Sequence, residues 1–172
     1  MAKLVQGGLK INQASDKLDE LATEELKDKT AVIVHVGSCD FSVEDNKDIQ
    51  NMYMRYTELV ANVLEQCPNA RVYVSGIPPR KGTLRDKVNR DIRRMNLKLE
   101  RLAEEEENIS FINNNVYLTD DSVTIDELYI DRDDDIIHIN NEGKTRMASF
   151  MFDAIKNDHY RERLSSDWKV SV

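Results

Sequence analysis

The feature that most constrains the fold of this chain is the stretch AVIVHVGSCD at residues 31–40. Its run of apolar, β-branched residues predicts a strand that is buried on both faces, and the Gly-Ser-Cys-Asp that follows predicts a turn. Ligands of open α/β sheets bind just beyond the carboxyl ends of such strands. The first place to look for a functional site is therefore the turn that holds Gly37, Ser38, Cys39 and Asp40.

Strands and helices alternate along the rest of the sequence. Apolar runs predict further strands at residues 3–6, 71–77 and 109–112, and apolar residues at helical spacing predict four helices. Residues 113–134 are predicted to be a polar excursion. The alternation predicts a single α/β domain over residues 1–172, a three-layer α/β/α sandwich with a mainly parallel sheet. Its core is expected to span residues 1–158, with a peripheral tail at 159–172. The helices are predicted near residues 12–26, 48–66, 84–106 and 141–155.

Composition narrows the class of protein. The chain has 24 basic and 32 acidic residues, a net charge of −8, which gives no overall attraction to nucleic acid or to anionic membranes. No apolar run approaches the ~20 residues that span a bilayer, and no secretory segment precedes residue 10, so we expect an intracellular, cytoplasmic protein. Cys39 and Cys67 have neither a disulfide framework nor metal-ligand spacing. We therefore expect no metal and no cofactor.

Four segments, taken in order, resemble the SGNH hydrolase superfamily, also called GDSL-type esterases and lipases. They are the glycine pair Gly7-Gly8, the strand and turn VIVHVGSCD, the segment VYVSGIPPR with the helix NRDIRRMNLKLERLA, and finally DDDIIHINNEGKTRMA. The likeness covers nearly the whole chain, and intracellular versions in mobile-element proteins of animals share the SGIPPR-like segment. It implies a flavodoxin-like sheet and acyl transfer by a serine.

The resemblance also implies roles for particular residues. His138 matches the general base and Asp135 the carboxylate that orients it. Cys39 stands where the family has the asparagine of its oxyanion hole, and a thiol is a weak donor. Loss of one such donor costs ~10²–10³ in turnover. The residues expected in the oxyanion-hole region are Gly7, Gly8, Gly37 and Cys39.

The family's nucleophilic serine belongs to a first strand and turn upstream of the glycine block, and this chain starts a few residues before Gly7. The resemblance therefore implies a first strand that is missing or replaced. Because a gap would expose unpaired backbone, we expect the neighbouring strands to rejoin, a partner chain or second copy to complete the sheet, or the chain to be part of a longer protein.

The function implied is that of an esterase-fold domain, catalytically impaired or incomplete on this chain, that acts as a binding or assembly module for a small ester or a partner. The alternative is an active esterase of small acyl or acetyl esters, with a nucleophile from an upstream segment or a partner chain. Ser38, Ser75 and a thiol triad of Cys39 with His138 and Asp135 are weaker candidates for the nucleophile. His35 is expected to be a core or edge histidine.

A basic stripe on the helix at residues 84–106 leaves a further alternative open. A solvated helix face explains it most simply, and the alternative is an anion-binding surface that contacts phosphates. No aromatic residues interleave with the stripe, which argues against base stacking, so nucleic acid is an unlikely partner of this chain. The stripe consists of Lys87, Arg90, Arg94, Lys98 and Arg101.

Overall fold

A computed structural model describes residues 8–20, 26–41, 48–83, 85–120, 123–132 and 135–168, apart from the side chains of residues 117 and 159–168. The predicted strand at residues 3–6 and Gly7 lie outside this range. The strands are β1 (Ala31–Val34), β2 (Arg71–Ser75), β3 (Ile109–Ile112), β4 (Thr119–Asp120) and β5 (Val123–Thr124). The helices are α1 (Ile11–Asp19), α2 (Ile49–Gln66), α3 (Lys87–Glu105), α4 (Asn115–Leu118) and α5 (Asn141–Trp168).

The three longer strands form one parallel sheet in the order β1-β2-β3. Val32 is paired with Val72, and Val72 in turn with Ile109. The predicted parallel sheet is thus confirmed. Within the described residues, β1 pairs with β2 alone. The two short strands β4 and β5 form a separate antiparallel hairpin.

Alternation along β2 divides the core into two layers. Val72 and Val74 face a large apolar cluster that α1, α2 and α3 build on one side of the sheet. Tyr73 faces the opposite side, where it packs with Ile112 and with Met151 of α5. Helices therefore cover both faces of the sheet, and the predicted three-layer α/β/α architecture is confirmed.

The prediction that β1 is buried on both faces was wrong. Val34 is buried in the large cluster, whereas Ile33, which points to the other face, remains 42% exposed. The physical reason is the position of α5, whose described side chains pack on Tyr73 and Ile112 and leave the β1 side of that face open. The apolar run reflects burial on one face only.

Residues 113–134 are not the polar excursion that the sequence predicts. Leu118, Leu128 and Tyr129 are almost completely buried and form a second small core with Ile139. A Cβ on Gly143 would lie 2.5 Å from the carbonyl oxygen of Leu128, so only glycine lets α5 approach this core so closely. The apolar residues of this core are too irregularly spaced for the sequence pattern to predict it.

The helices agree with the predicted spans except at two ends and in the short helix α4, which was not predicted. Helix α1 ends at Asp19, whereas the prediction ran to about residue 26, and residues 21–25 lie outside the described range. Helix α2 begins after Asp48, whose carboxylate accepts a hydrogen bond from the backbone of Asn51, and it ends at Gln66 as predicted. Helix α5 continues to Trp168 instead of ending near residue 155, so the predicted tail is helical. In the described part of the chain, no helix is long and apolar enough to cross a bilayer.

Candidate functional site

The turn after β1 forms one side of the candidate site. Gly37 has a φ of +110°, and a Cβ there would lie 2.8 Å from the side chain of Ile77, so the turn requires glycine. Cys39 is exposed on the short 3-10 turn that follows. The carboxylate of Asp40 accepts a hydrogen bond of 3.0 Å from the backbone of Ile11, at the start of α1. This bond brings the turn close to the chain that follows Gly8.

Gly8 itself is exposed and has a φ of +80°. It lies three residues before Ile11, the residue bonded to Asp40, so the glycine block and the Cys39 turn are neighbours. Gly7, the other candidate for the oxyanion-hole glycine, lies outside the described residues. The oxyanion-hole assignment of both glycines stays a prediction.

The segment at residues 77–80, which follows β2, is clamped by two asparagines of α3. Asn96 accepts a hydrogen bond from the backbone N–H of Ile77 at 2.8 Å and donates one to its carbonyl at 2.9 Å. Asn89 makes the same pair of bonds to the backbone of Arg80, at 2.7 and 3.0 Å. The two side chains take the place of a neighbouring strand, because each satisfies both polar groups of one residue. Both asparagines are buried.

Arg80 lies at the centre of the site. Its Nη2 donates hydrogen bonds to the carbonyls of Ser38 and Phe41, at 2.6 and 2.7 Å, and so holds the Cys39 turn. Only 5% of Arg80 is exposed. Burial lowers the pKa of Arg80, while the nearby Cys39, Tyr129 and Asp135 raise it. The guanidinium thus lies between the turn and the loop that carries Asp135.

The clamped segment is also joined to the opposite side of the site. The hydroxyl of Tyr129 donates a 2.8 Å hydrogen bond to the carbonyl of Pro79. The backbone N–H of Lys81 donates to the carbonyl of Ile136 at 2.8 Å. These bonds fix the loop at residues 135–138 beside Arg80.

Asp135 and His138 meet in that loop. The Nδ1 atom of His138 lies 2.9 Å from both carboxylate oxygens of Asp135. The backbone N–H groups of Ile137 and His138 also donate to the carboxylate, at 3.2 and 2.9 Å. The backbone bond from His138 is the largest of the effects that lower the pKa of Asp135 to about 2, despite an opposing effect of desolvation. The carboxylate is therefore ionised at neutral pH.

The outer nitrogen of this imidazole is open. The side chain of His138 is 67% exposed, that of Asp135 only 14%. Among the residues that the structure describes, none makes a hydrogen bond to Nε2 of His138. An imidazole oriented through Nδ1 and open at Nε2 is the arrangement in which histidine accepts a proton from a hydroxyl.

The serine at the end of β2 has a different histidine partner. Ser75 is completely buried, and its Oγ lies 2.9 Å from Nδ1 of His35. Asn114, just after β3, donates a 2.8 Å hydrogen bond to the same Oγ. Desolvation lowers the pKa of His35 below its usual 6.5. These three side chains tie the ends of β1, β2 and β3 together, and the burial of Ser75 keeps its hydroxyl from an external substrate.

The basic stripe of α3 does not form one free face. Arg94 makes a 3.0 Å ion pair with Asp91 on the same helix. Lys98 bonds to Gln50 of α2 at 2.8 Å and lies 5.1 Å from the ring centre of Tyr53. Part of the positive charge is thus engaged within the molecule. The other members of the stripe are Lys87, Arg90 and Arg101, all three of which are exposed.

Sequence reasoning missed the clamp and the central position of Arg80. Asn89 and Asn96 stand seven residues apart in a helix whose apolar stripe includes Val88, Ile92, Met95 and Leu99. Polar residues next to an apolar stripe are a signal of buried hydrogen bonds that was available in the sequence. In the described residues, no group of three carboxylate, thiol or imidazole side chains is placed to hold a metal ion.

Comparison with known proteins establishes the family. Residues 6–146 match the sequence model of the GDSL-like Lipase/Acylhydrolase family. That match spans most of the 172 residues, so the chain belongs to this family and the predicted resemblance is confirmed. No curated protein matches the sequence.

Solved structures show the same fold at low sequence identity. The CTD of the Drosophila Oskar protein superposes with a TM-score of 0.69 and 18% identity, covering 87% of this chain and 71% of that chain. A GDSL-like lipase from Bacteroides thetaiotaomicron gives 0.66 and 16%, covering 88% and 73%. The acetyl xylan esterase AlAXEase gives 0.65 and 18%, covering 87% and 78%. At such identities the likeness shows the fold alone.

Proposed function

We propose that this chain is a GDSL-type esterase-fold domain that binds a small acyl or ester ligand and does not hydrolyse it by itself. The observation that carries the proposal is the open Nε2 of His138. Asp135 is hydrogen-bonded to Nδ1 of His138, which supports the proposed roles of orienting carboxylate and base, but no described hydroxyl or thiol makes a hydrogen bond to the outer nitrogen of His138.

Neither Ser75 nor Cys39 is placed to replace the family's nucleophilic serine. Ser75 is buried and bonded to His35 and Asn114. Cys39 is exposed on the turn held by Arg80, and it makes no hydrogen bond to His138. Acyl transfer needs the nucleophile within hydrogen-bond reach of the base. Binding needs only polar groups that a ligand can reach, and the exposed imidazole of His138 is such a group.

The experiment is hydrolysis of p-nitrophenyl acetate by the native chain, by His138→Ala and by Asp135→Asn. Denatured protein at the same concentration gives the background from reactive side chains. We expect the native rate to stay within about twofold of that background and of both variants, since a base without a hydroxyl contributes little. A native rate more than about 10²-fold above His138→Ala would overturn the proposal.

The second candidate is an active esterase whose nucleophile comes from an upstream segment or a partner chain. The observation in its favour is the same pair, because Asp135 and His138 already have the contacts that an active base requires. It predicts that turnover appears only when that segment or partner is added. It also predicts that the added turnover is lost in His138→Ala.

A further inference from the structure

We propose that Arg80 binds the oxyanion of an acidic ligand, a carboxylate or a phosphate, between the Cys39 turn and the loop that holds His138. This inference rests on the proposed function, because it names the class of ligand for the same site. Such a ligand is an acidic acyl or ester compound instead of a neutral ester.

The first argument is that Arg80 has no direct ion-pair partner. Only 5% of the residue is exposed, and an arginine stays protonated in proteins. In the part of the chain that the structure describes, no carboxylate lies within ion-pair distance of its guanidinium, and Asp135 acts on it only from farther away. Burying a charge with only distant compensation is unfavourable, so a bound anion would relieve a cost that the protein alone leaves in place.

The second argument is the number of donors left over. A guanidinium has five N–H groups, and Nη2 uses its two in the bonds to the carbonyls of Ser38 and Phe41. The groups on Nε and Nη1 make no hydrogen bond to any described residue. They are also absent from the buried unpaired atoms in this part of the chain, which are Oε1 of Gln66 and Oδ1 of Asn115. The remaining donors are therefore open to a ligand.

The third argument is position. Asn89 holds the backbone of Arg80, and the carbonyls of Ser38 and Phe41 in the Cys39 turn hold its Nη2. The next residue, Lys81, bonds to Ile136 in the loop that holds His138. The carboxylate of Asp135 also faces Arg80, but it is beyond ion-pair distance and its own bonds go to Ile137 and His138. The guanidinium thus lies beside the loop that carries the imidazole.

The competing explanation is that Arg80 only holds the Cys39 turn in its conformation. It needs Nη2 alone and predicts no binding of anions, so a direct titration separates the two explanations. The probes are sodium acetate and sodium phosphate, each compared with sodium chloride at equal ionic strength. The readout is the ¹⁵Nε–¹Hε resonance of Arg80 in the native 172-residue chain. This resonance reports on anion binding and not on hydrolysis. The inference about Arg80 can therefore fail while the proposed function stands, and the proposed function can fail while this inference stands.

We expect a saturable shift of that resonance with acetate, with phosphate, or with both, and the responsive anion identifies the ligand class. Arg80→Lys is expected to weaken the binding about tenfold or more, because a lysine cannot hold the turn and donate to the anion at once. Arg93→Lys, a matched change of an exposed arginine on α3, should leave the affinity unchanged.

Two results would overturn the inference. One is a native response to acetate and phosphate that matches the response to chloride. The other is unchanged affinity in a folded Arg80→Lys variant. If that variant does not fold, the shift of the Arg80 resonance in the native chain decides alone, since saturation supports the inference and its absence refutes it.

Discussion

The two sides of the candidate site lie next to each other but are held in different ways. The segment at residues 77–80 is buried, and side chains from α3 bond its backbone across nine to nineteen positions of sequence. The loop at residues 135–138 is stabilised by bonds that span two or three positions, and its histidine is largely exposed. One side is positioned by the tertiary fold and the other largely by its own sequence.

Because of this difference, mutations on one side of the site should affect the stability of the domain, and mutations on the other side should affect its chemistry. Polar groups of the clamped segment are cut off from water, so losing a partner leaves them unsatisfied. Those of the exposed loop can turn to solvent when a partner is lost. Mutations of the clamp should therefore destabilise the whole domain, whereas mutations of the loop should disturb the imidazole and leave the fold in place.

The largest effect is expected from Asn96→Ala. The change leaves the buried N–H and carbonyl of Ile77 without their partner, and we expect a loss of about 2–4 kcal/mol in the free energy of unfolding. Asn62→Ala is the matched control, since its bond to Asp19 is exposed and its bond to Gln66 only partly buried, and it should cost less than about 1 kcal/mol. Chemical denaturation measures both. Equal losses would refute the distinction between clamp and surface.

The next effect is expected from a pair of glycines. Gly37→Ala must adopt a φ of +110° and also displace Ile77, and we expect a cost of about 2–4 kcal/mol. Gly8→Ala has a φ of +80° but nothing within 4 Å of its new Cβ, so the cost should be nearer 1 kcal/mol. Thermal or chemical unfolding distinguishes the two. A larger cost at Gly8 would contradict the close packing of the turn against Ile77.

A smaller effect, confined to acid, is expected from Asp135→Asn. The pKa of Asp135 is lowered from 3.8 to about 2, so its contribution to stability is fully present above pH 3.8 and is lost as the pH falls through about 2. The asparagine variant should lack this part of the acid transition. Unfolding measured from pH 7 to pH 2 tests it, with Asp153→Asn on the exposed side of α5 as control. An identical acid limb in native protein and variant would contradict the prediction.

The smallest effect concerns His35, which bonds to Ser75 directly before the clamped segment. Because its pKa is lowered in the folded state, the unfolded chain takes up the proton first as the pH falls below 6.5. Stability should therefore decline from pH 6.5 downwards, until the folded form is protonated as well. His35→Gln should remove this decline, and His138→Ala should retain it. A decline that survives in His35→Gln would show another origin.

The sequence predicted what local patterns encode. The parallel strands and the main helices follow from apolar periodicity, and the Asp135 and His138 pair follows from a four-residue motif. The burial of β1 was wrong because a strand's composition does not reveal which neighbour covers its second face. Ile33 and its β2 partner Tyr73 point to the same face of the sheet, and only the position of α5 makes one exposed and the other buried.

The parts that could not be predicted depend on distant contacts. The small core of Leu118, Leu128 and Tyr129 joins residues that have no shared periodicity. Arg80 belongs to the site because Asn89 and the carbonyl of Ser38 hold it there, and neither bond is visible as a motif. Long-range hydrogen bonds of this kind join pairs too far apart for any local window.

The most direct test of the account is the mass of the intact chain after treatment with a fluorophosphonate, which reacts with serines that a histidine activates. We predict no adduct, because no described hydroxyl is bonded to His138. One adduct per chain that disappears in His138→Ala would show an activated nucleophile and contradict the account.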